Sequence, residues 1–188
     1  EYKDSVNGLS QVVVRSSAKV GTITITATAA GLEPGELTVN TVSGIPDQLV
    51  LVPAQTEVVG DGISTVTVKI FIRDGNDNQV MNYAGLVRYD ITGLGSIETS
   101  TVGMVSNGET SVLLRAKSDV GTIKLTVTSD KLKNSVNIQS VPGLPERIFL
   151  LPAKTEVYCN ENTTVTVKMT DSVGNIVKLT NEIMLSAT

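Results

Sequence analysis

From Thr65 to Arg73 the chain alternates: Val66, Val68, Ile70 and Ile72 fall on one side, and Thr65, Thr67, Lys69 and Arg73 on the other. A two-residue period of this kind predicts a half-buried β-strand, because successive side chains of an extended backbone point to opposite faces. Phe71 is the one apolar residue on the polar side. Gly21 to Thr28 follows the same rule, with Ile23, Ile25 and Ala27 set against Thr22, Thr24, Thr26 and Thr28. So does the stretch in which Ile123, Leu125 and Val127 oppose Thr122, Lys124, Thr126 and Thr128, and the one in which Val165, Val167 and Met169 oppose Thr164, Thr166, Lys168 and Thr170. Threonine suits the outer face because its branched Cβ fits a pleated surface while its hydroxyl stays hydrated. Strands wet on one side belong to antiparallel sheets rather than to parallel sheets covered on both faces.

Further strands are predicted at Leu49 to Val52, Val12 to Ser16, Leu37 to Val42, Leu86 to Ile91, Val112 to Ala116, Ile148 to Leu151 and Val136 to Val141. Turns at Asp61-Gly62, Asp74-Gly75-Asn76, Asn107-Gly108 and Gly174-Asn175 separate strands, since Gly and Asn accept the positive φ that tight turns demand. No segment keeps a helical period. The alanines at 18 and from 27 to 30 lie among threonines and glycines that weigh against a helix.

These patterns recur. Gly44-Ile45-Pro46, Leu51-Val52-Pro53-Ala54, Thr56-Glu57-Val58 and Thr67-Val68-Lys69 return as Gly143-Leu144-Pro145, Leu150-Leu151-Pro152-Ala153, Thr155-Glu156-Val157 and Thr166-Val167-Lys168, a shift of 99. Arg15 and Val20-Gly21-Thr22-Ile23 return as Arg115 and Val120-Gly121-Thr122-Ile123, a shift of 100. A period near 100 residues is the size of a β-sandwich that buries its own core. The segments Ser43-Gly44-Ile45-Pro46 and Pro142-Gly143-Leu144-Pro145 read as linkers, where a short Gly-Pro joint limits swing.

On this frame, residues 1–42 are the C-terminal half of a unit, 43–141 a complete unit, and 142–188 the N-terminal half of a further unit. A permuted frame, with units 1–91 and 101–188, is the alternative; limited proteolysis near Gly44 or near Gly95 separates the two. The partial units are nearly complementary, lacking only the counterpart of about Thr92 to Ser100. Half-sandwiches carry unpaired edges, so docking of one chain's tail half with another's head half is expected, giving a reciprocal dimer or an open filament.

Composition narrows the core and the partners. Trp is absent and only four Tyr and two Phe occur in 188 residues, so the cores must be aliphatic. A formal net charge of −4 with scattered Lys and Arg gives no basic field, which disfavours nucleic-acid binding. Cys159 is alone, so no disulfide forms within the chain, and it stands where the other copy has Gly60. Apolar runs are too short for membrane insertion, and the start EYKDSVNG lacks the regions of a signal peptide, so an internal piece of something larger is expected.

Several segments stand in a characteristic order: Ile45-Pro46-Asp47, Thr56-Glu57, Asp61-Gly62, Thr65-Val66-Thr67-Val68 and Asp74-Gly75-Asn76, then Val12-Val13-Val14-Arg15-Ser16, Gly21-Thr22-Ile23-Thr24-Ile25-Thr26-Ala27 and Gly31-Leu32. In that order they resemble bacterial immunoglobulin-like modules, as found in invasin-like adhesins, surface-layer (S-layer) proteins and the C-terminal parts of family 2 glycoside hydrolases. The resemblance covers essentially the whole chain and implies an all-β fold of tandem immunoglobulin-like antiparallel sandwiches. It transmits no activity, because the fold hosts many functions. The third unit departs at Cys159-Asn160-Glu161-Asn162, where Gly60-Asp61-Gly62-Ile63 stands, so a differently shaped loop is expected there.

Chemistry finds little purchase. Without histidine there is no usual general base, no Ser-His or Cys-His pair, and none of the commonest zinc ligand. Glu57, Asp74, Asp77, Glu98, Glu109 and Asp119 read as scattered solvated charge rather than an acid/base pair. Asp74-Gly75-Asn76-Asp77-Asn78 is the densest set of oxygen ligands, yet it lacks EF-hand spacing and reads as a hairpin turn rather than a calcium loop. Lys69 and Lys168, aligned as equivalents, sit on the outer face and read as solvated lysines rather than isopeptide donors. Tyr2, Tyr83, Tyr89, Tyr158, Phe71 and Phe149 are the aromatics a sugar platform would need, with Phe71 the most conspicuous. No catalytic, cofactor or metal residue is assigned. The expected role is a non-enzymatic spacer in an extracellular, cell-surface or secreted protein. Its partners would be neighbouring modules of the same parent protein. The alternatives are an adhesin segment binding a receptor or cell-wall or host glycans, and the accessory tail of a polysaccharide hydrolase.

Overall fold

A computed structural model describes residues 7–178 and 183–186, and every element in it is a strand. In chain order these are β1 (Gly21–Ala27), β2 (Gly35–Thr41), β3 (Gln48–Pro53), β4 (Glu57–Val59), β5 (Thr65–Arg73), β6 (Gly85–Gly93) and β7 (Gly95–Ile97). They continue as β8 (Val102–Val105), β9 (Glu109–Ala116), β10 (Gly121–Ser129), β11 (Leu132–Val141), β12 (Arg147–Pro152) and β13 (Val165–Thr170).

The strands from β3 to β11 form two sheets, β3-β5-β9-β7 and β4-β11-β10-β6-β8. Neighbours are antiparallel except β4, which runs parallel to β11. The chain changes sheet between β3 and β4, tying the two layers together at one edge. Val66, Val68, Ile70 and Ile72 of β5 and Val112, Leu114 and Ala116 of β9 face Val87 and Tyr89 of β6, Ile123, Leu125 and Val127 of β10 and Ile138 of β11, all buried. The alternation read from Thr65 to Arg73 is therefore the partition between core and water. Phe71 stays on the outer face, where the Arg73 guanidinium lies 5.8 Å from its ring centroid.

Outside this sandwich, β1 pairs with β2 and β12 with β13, each as a two-stranded sheet. Thr22 faces Asn40 as Thr122 faces Gln139, so the first hairpin follows the β10–β11 scheme. Pro152 faces Val165 as Pro53 faces Val68. That register corrects the alignment of the lysines. Val165, Val167 and Met169 occupy the places of Val68, Ile70 and Ile72, so Lys168 stands opposite Phe149 as Phe71 stands opposite Val50, and the place of Lys69 falls to Thr166. The stretch from Ala153 to Thr164, closed by Ala153 N–H donating to Thr164 O, is two residues shorter than that from Ala54 to Thr67. A two-residue deletion leaves the in-and-out order of a strand untouched, which is why the repeated Thr-Val-Lys pointed to the wrong pairing.

The deletion lies in the loop that sequence marked as different. In the complete sandwich Asp61 accepts from the backbone N–H groups of Ile63 and Ser64 and from the Ser64 hydroxyl. In the later copy Glu161 accepts instead from Tyr158 N–H and pairs with Lys154.

One predicted strand is missing: Val12 to Ser16 forms none. Its counterpart β9 is held between β5 and β7, neighbours that residues 7–42 do not bring with them. The short β7 and β8 carried no legible alternation. β7 begins right after Gly93 and Leu94; Gly93 has φ +87° and lies so close to the Thr122 carbonyl that no side chain fits.

Candidate functional site

Among the described residues the most elaborate polar structure is built twice, once beside Gly44-Ile45-Pro46 and once beside Gly143-Leu144-Pro145. In the first, Asp74 follows β5 and turns its carboxylate back into its own loop. Oδ1 accepts from the backbone N–H of Asn76 and of Asn78, both at 2.9 Å. Oδ2 accepts from the linker N–H of Gly44 at 2.7 Å and from the Asn78 side-chain amide at 3.0 Å. In the second, Asp171 Oδ1 accepts from the backbone N–H of Val173, Gly174 and Asn175. Its Oδ2 accepts from the linker N–H of Gly143 at 2.8 Å and from the Asn175 amide at 3.1 Å. The linkers are pinned again by backbone bonds, Asp47 N–H to Arg73 O and Glu146 N–H to Thr170 O, both 2.8 Å. The turns need a left-handed residue, supplied by Asp77 at φ +62° in one and Gly174 at φ +102° in the other.

Each asparagine then reaches back to an earlier stretch of the chain. Asn78 donates to Ala18 O at 2.9 Å and accepts from Val20 N–H at 3.3 Å, while Lys19 Nζ donates to Asn76 O. Asn175 donates to Gly60 O at 2.8 Å. Gly60 is tightly enclosed there, since a Cβ on it would come within 2.6 Å of the Asp119 carbonyl. The turn is thus a clasp, joining its own loop, the Gly-x-Pro segment beside it and an earlier stretch of the chain.

Burial and charge agree with that role. Asp74 and Asp171 are each only 2% exposed, which corrects the reading of Asp74 as a solvated charge. The Asn78 side chain and the amides of Gly44 and Asn78 hold the Asp74 carboxyl far below the usual carboxylate range. Burial alone pushes Asp171 up, but the Gly143 amide, the Asn175 side chain and the neighbouring backbone amides outweigh it and bring it to about 2. A carboxylate ringed by N–H groups presents positive dipole ends to an approaching cation. This donor set fits a buried anion and does not fit calcium, which wants several free carboxylate oxygens. Among the described residues no three His, Cys, Asp or Glu side chains converge as a metal site.

The other candidates are dispersed. Lys69 pairs with Glu109 at 3.6 Å, Arg73 with Asp77 at 2.7 Å and Arg115 with Glu98 at 2.6 Å, all on the outer surface. Glu57 and Asp119 are exposed. Of the aromatics, Tyr89 is in the core, Tyr83 bonds Ser129, Phe71 lies under Arg73, and Phe149 and Tyr158 stand on the exposed later segment. Tyr2 lies outside the described residues. Cys159 is exposed and free. No helix among the described residues is long and apolar enough to cross a membrane.

The clasp was hidden in the sequence because Asp-Gly-Asn-Asp-Asn and Asp-Ser-Val-Gly-Asn look unalike. The common signal was Asp followed four residues later by Asn, with a linker Gly-x-Pro upstream.

No family model and no curated protein sequence matches the chain. Solved structures do. A glycosyl hydrolase family 2 member from Bacteroides cellulosilyticus is similar over 64% of this chain and 17% of its own, with a TM-score of 0.53 and 20% identity. A family 2 β-glucuronidase is similar over 66% of this chain and 14% of its own, with a TM-score of 0.53 and 17% identity. The Escherichia coli adhesin FdeC is similar over 82% of this chain and 52% of its own, with a TM-score of 0.48 and 15% identity. This chain therefore spans less than a fifth of the hydrolases' length and about half of the adhesin's. The likeness is one of fold: an all-β, immunoglobulin-like antiparallel sandwich.

Proposed function

We propose that this chain is a non-catalytic spacer, a run of immunoglobulin-like modules in a bacterial cell-surface or secreted protein, divided at residues 1–42, 43–141 and 142–188. Its partners are the neighbouring modules of the same parent protein, and its work is to hold other parts at a set distance. The observation that carries this reading is the repeated clasp. A binding or catalytic domain needs only its own core, whereas a spacer needs joints that resist bending, and among the described residues the buried charges, Asp74 and Asp171, both lie at the proposed joints. Of the other acids, Glu109, Asp77 and Glu98 are each taken up in a separate ion pair on the outer surface, which supports a solvated role for them rather than an acid/base one.

An adhesin or sugar-binding role would place a patch of aromatics or loops at one pole, and the described aromatics are divided among the core, the sheet face and the later segment. The test is a glycan array together with a bacterial cell-wall pulldown. The spacer reading expects no retention above that of an unrelated sandwich; saturable binding to a defined glycan would replace it with the adhesin reading.

A further inference from the structure

β4 is the weak member of the complete sandwich. It is three residues long, lies at the rim of the sheet β4-β11-β10-β6-β8 and makes the one parallel pairing among the described residues, Glu57–Val59 against Gln139–Val141. A short parallel pair at an edge has few bonds to hold it and a neighbour on one side only. Yet β4 supplies Val58, 3% exposed, to the core. A strand this short that carries a core residue needs a further hold.

That hold comes from residues beyond the sandwich. Gly60, which follows β4, donates its N–H to Val141 O at 2.8 Å, and its carbonyl accepts from the Asn175 side chain at 2.8 Å. The Asn175 amide also donates to Asp171 Oδ2, and the same oxygen accepts from Gly143 N–H, two residues after Val141. The circuit closes: from Asn175 through Gly60 to Val141, along the chain to Gly143, and through Asp171 back to Asn175. It ties the end of β4 to the end of β11. Pro142, between Val141 and Gly143, has no N–H to leave unpaired. Packing follows the same path, since Gly143 lies against Val59, whose Cγ1 is 3.4 Å from where a Cβ would stand. Gly60 itself has no room for a side chain, which would meet Ser140 Oγ at 2.5 Å and the Asp119 carbonyl at 2.6 Å.

We propose that this ring is a lock on the edge of the sandwich: β4 separates from β11 as one piece, taking Val58 out of the core, when the turn at Asp171–Asn175 is lost. Residues after Gly143 thereby stabilise an edge that stands 115 residues earlier in the chain. The inference goes beyond a joint of fixed angle, because it makes the joint and the closure of the sandwich before it a single cooperative element. In a run of such units each would fasten the one before it, and a joint broken by force or cleavage would also loosen the preceding sandwich. That consequence rests on the division into units at Gly143; the lock itself does not.

Amide hydrogen exchange of the full chain, followed residue by residue, tests this. In Asn175→Ala the amides of Gly60 and Gln139, bonded to Val141 O and Thr56 O at the two ends of the β4–β11 pairing, should exchange faster by a common factor of about tenfold. The Val80 amide, bonded to Ile72 O at the other end of the sandwich, should keep its wild-type rate. Acceleration of Gly60 alone, of no amide, or of Val80 as strongly as of Gly60 would each overturn the proposal. A second variant reads the coupling from the other side and leaves the turn's own residues intact. Val58→Ala, which weakens β4, should speed exchange of the Asn175 backbone amide, held by Asp171 Oδ1, because coupling between two sites is reciprocal. An unchanged rate at Asn175 would also overturn it. Glycan binding by the chain would displace the spacer reading and leave these rates as they are.

Discussion

β1–β2 and β10–β11 follow the same alternating pattern, β1 and β10 both opening Gly-Thr-Ile, and meet different fates. Ile123 and Leu125 are fully buried, whereas Ile23 and Ile25 are only half-buried and Leu37 and Val39 are exposed. The hydrogen-bond register is the same through the body of both hairpins, so the local pattern is enough to make the ladder. Burial is not local; it requires the sheet that lies opposite. The clasps behave the other way. Asp74 and Asp171 share the bonds from the upstream glycine, from the amide two residues on and from the asparagine four residues on, and Asp171 adds Gly174, because each cage needs only a turn and the Gly-x-Pro segment beside it.

That contrast is sharpest in the core. Leu125→Ala should destabilise the central sandwich by about 2–5 kcal/mol, while Ile25→Ala should cost less, about 1–2 kcal/mol, because its side chain is partly in contact with water and no second sheet covers it among the described residues. Chemical denaturation of the two variants measures the difference. A comparable loss from both would mean that β1–β2 is packed as tightly as β10–β11.

Next in size is Gly93→Ala. A positive φ and a carbonyl pressed against the Cα should cost about 2–3 kcal/mol. Gly31, at φ +78° but with open space around it, should lose less on the same change. The pair isolates crowding from backbone strain, again by denaturant midpoints.

The clasps should show their charge in acid. Both carboxyls sit below their unfolded value of 3.8, so their contribution is fully present above about pH 4 and is lost as the pH falls through the folded value. For Asp171 that window runs from about 4 down to about 2, and for Asp74 it extends lower. Melting of the wild type should therefore fall over this range more steeply than that of an Asp74→Asn, Asp171→Asn double variant. Added calcium should leave the melting temperature unchanged. At the bottom of the scale, Lys69→Ala breaks an exposed pair and should alter stability by about 0.5 kcal/mol or less.

The strand pattern made β5 and β10 legible because a two-residue period reports which face meets the core. It could not report register across a deletion, and the two residues lost before Thr164 slid Lys168 into the place of Phe71 without disturbing the alternation. Nor could it see that Val12 to Ser16 would lack a neighbour. The clasps were illegible for a different reason. Asp74 reads as a loop acid in any one-dimensional view, and only the folding of the Asn76 and Asn78 amides and the approach of Gly44 turn it into a buried anion.

The central claim is that these turns fix one unit against the next. A spin label on Cys159 paired with one on Met104→Cys, both exposed positions on either side of the second linker, reads that directly as a distance distribution. The account predicts a narrow distribution that broadens when Asp171 and Asn175 are both changed to alanine. A distribution equally wide in both proteins would show that the clasp holds nothing in place.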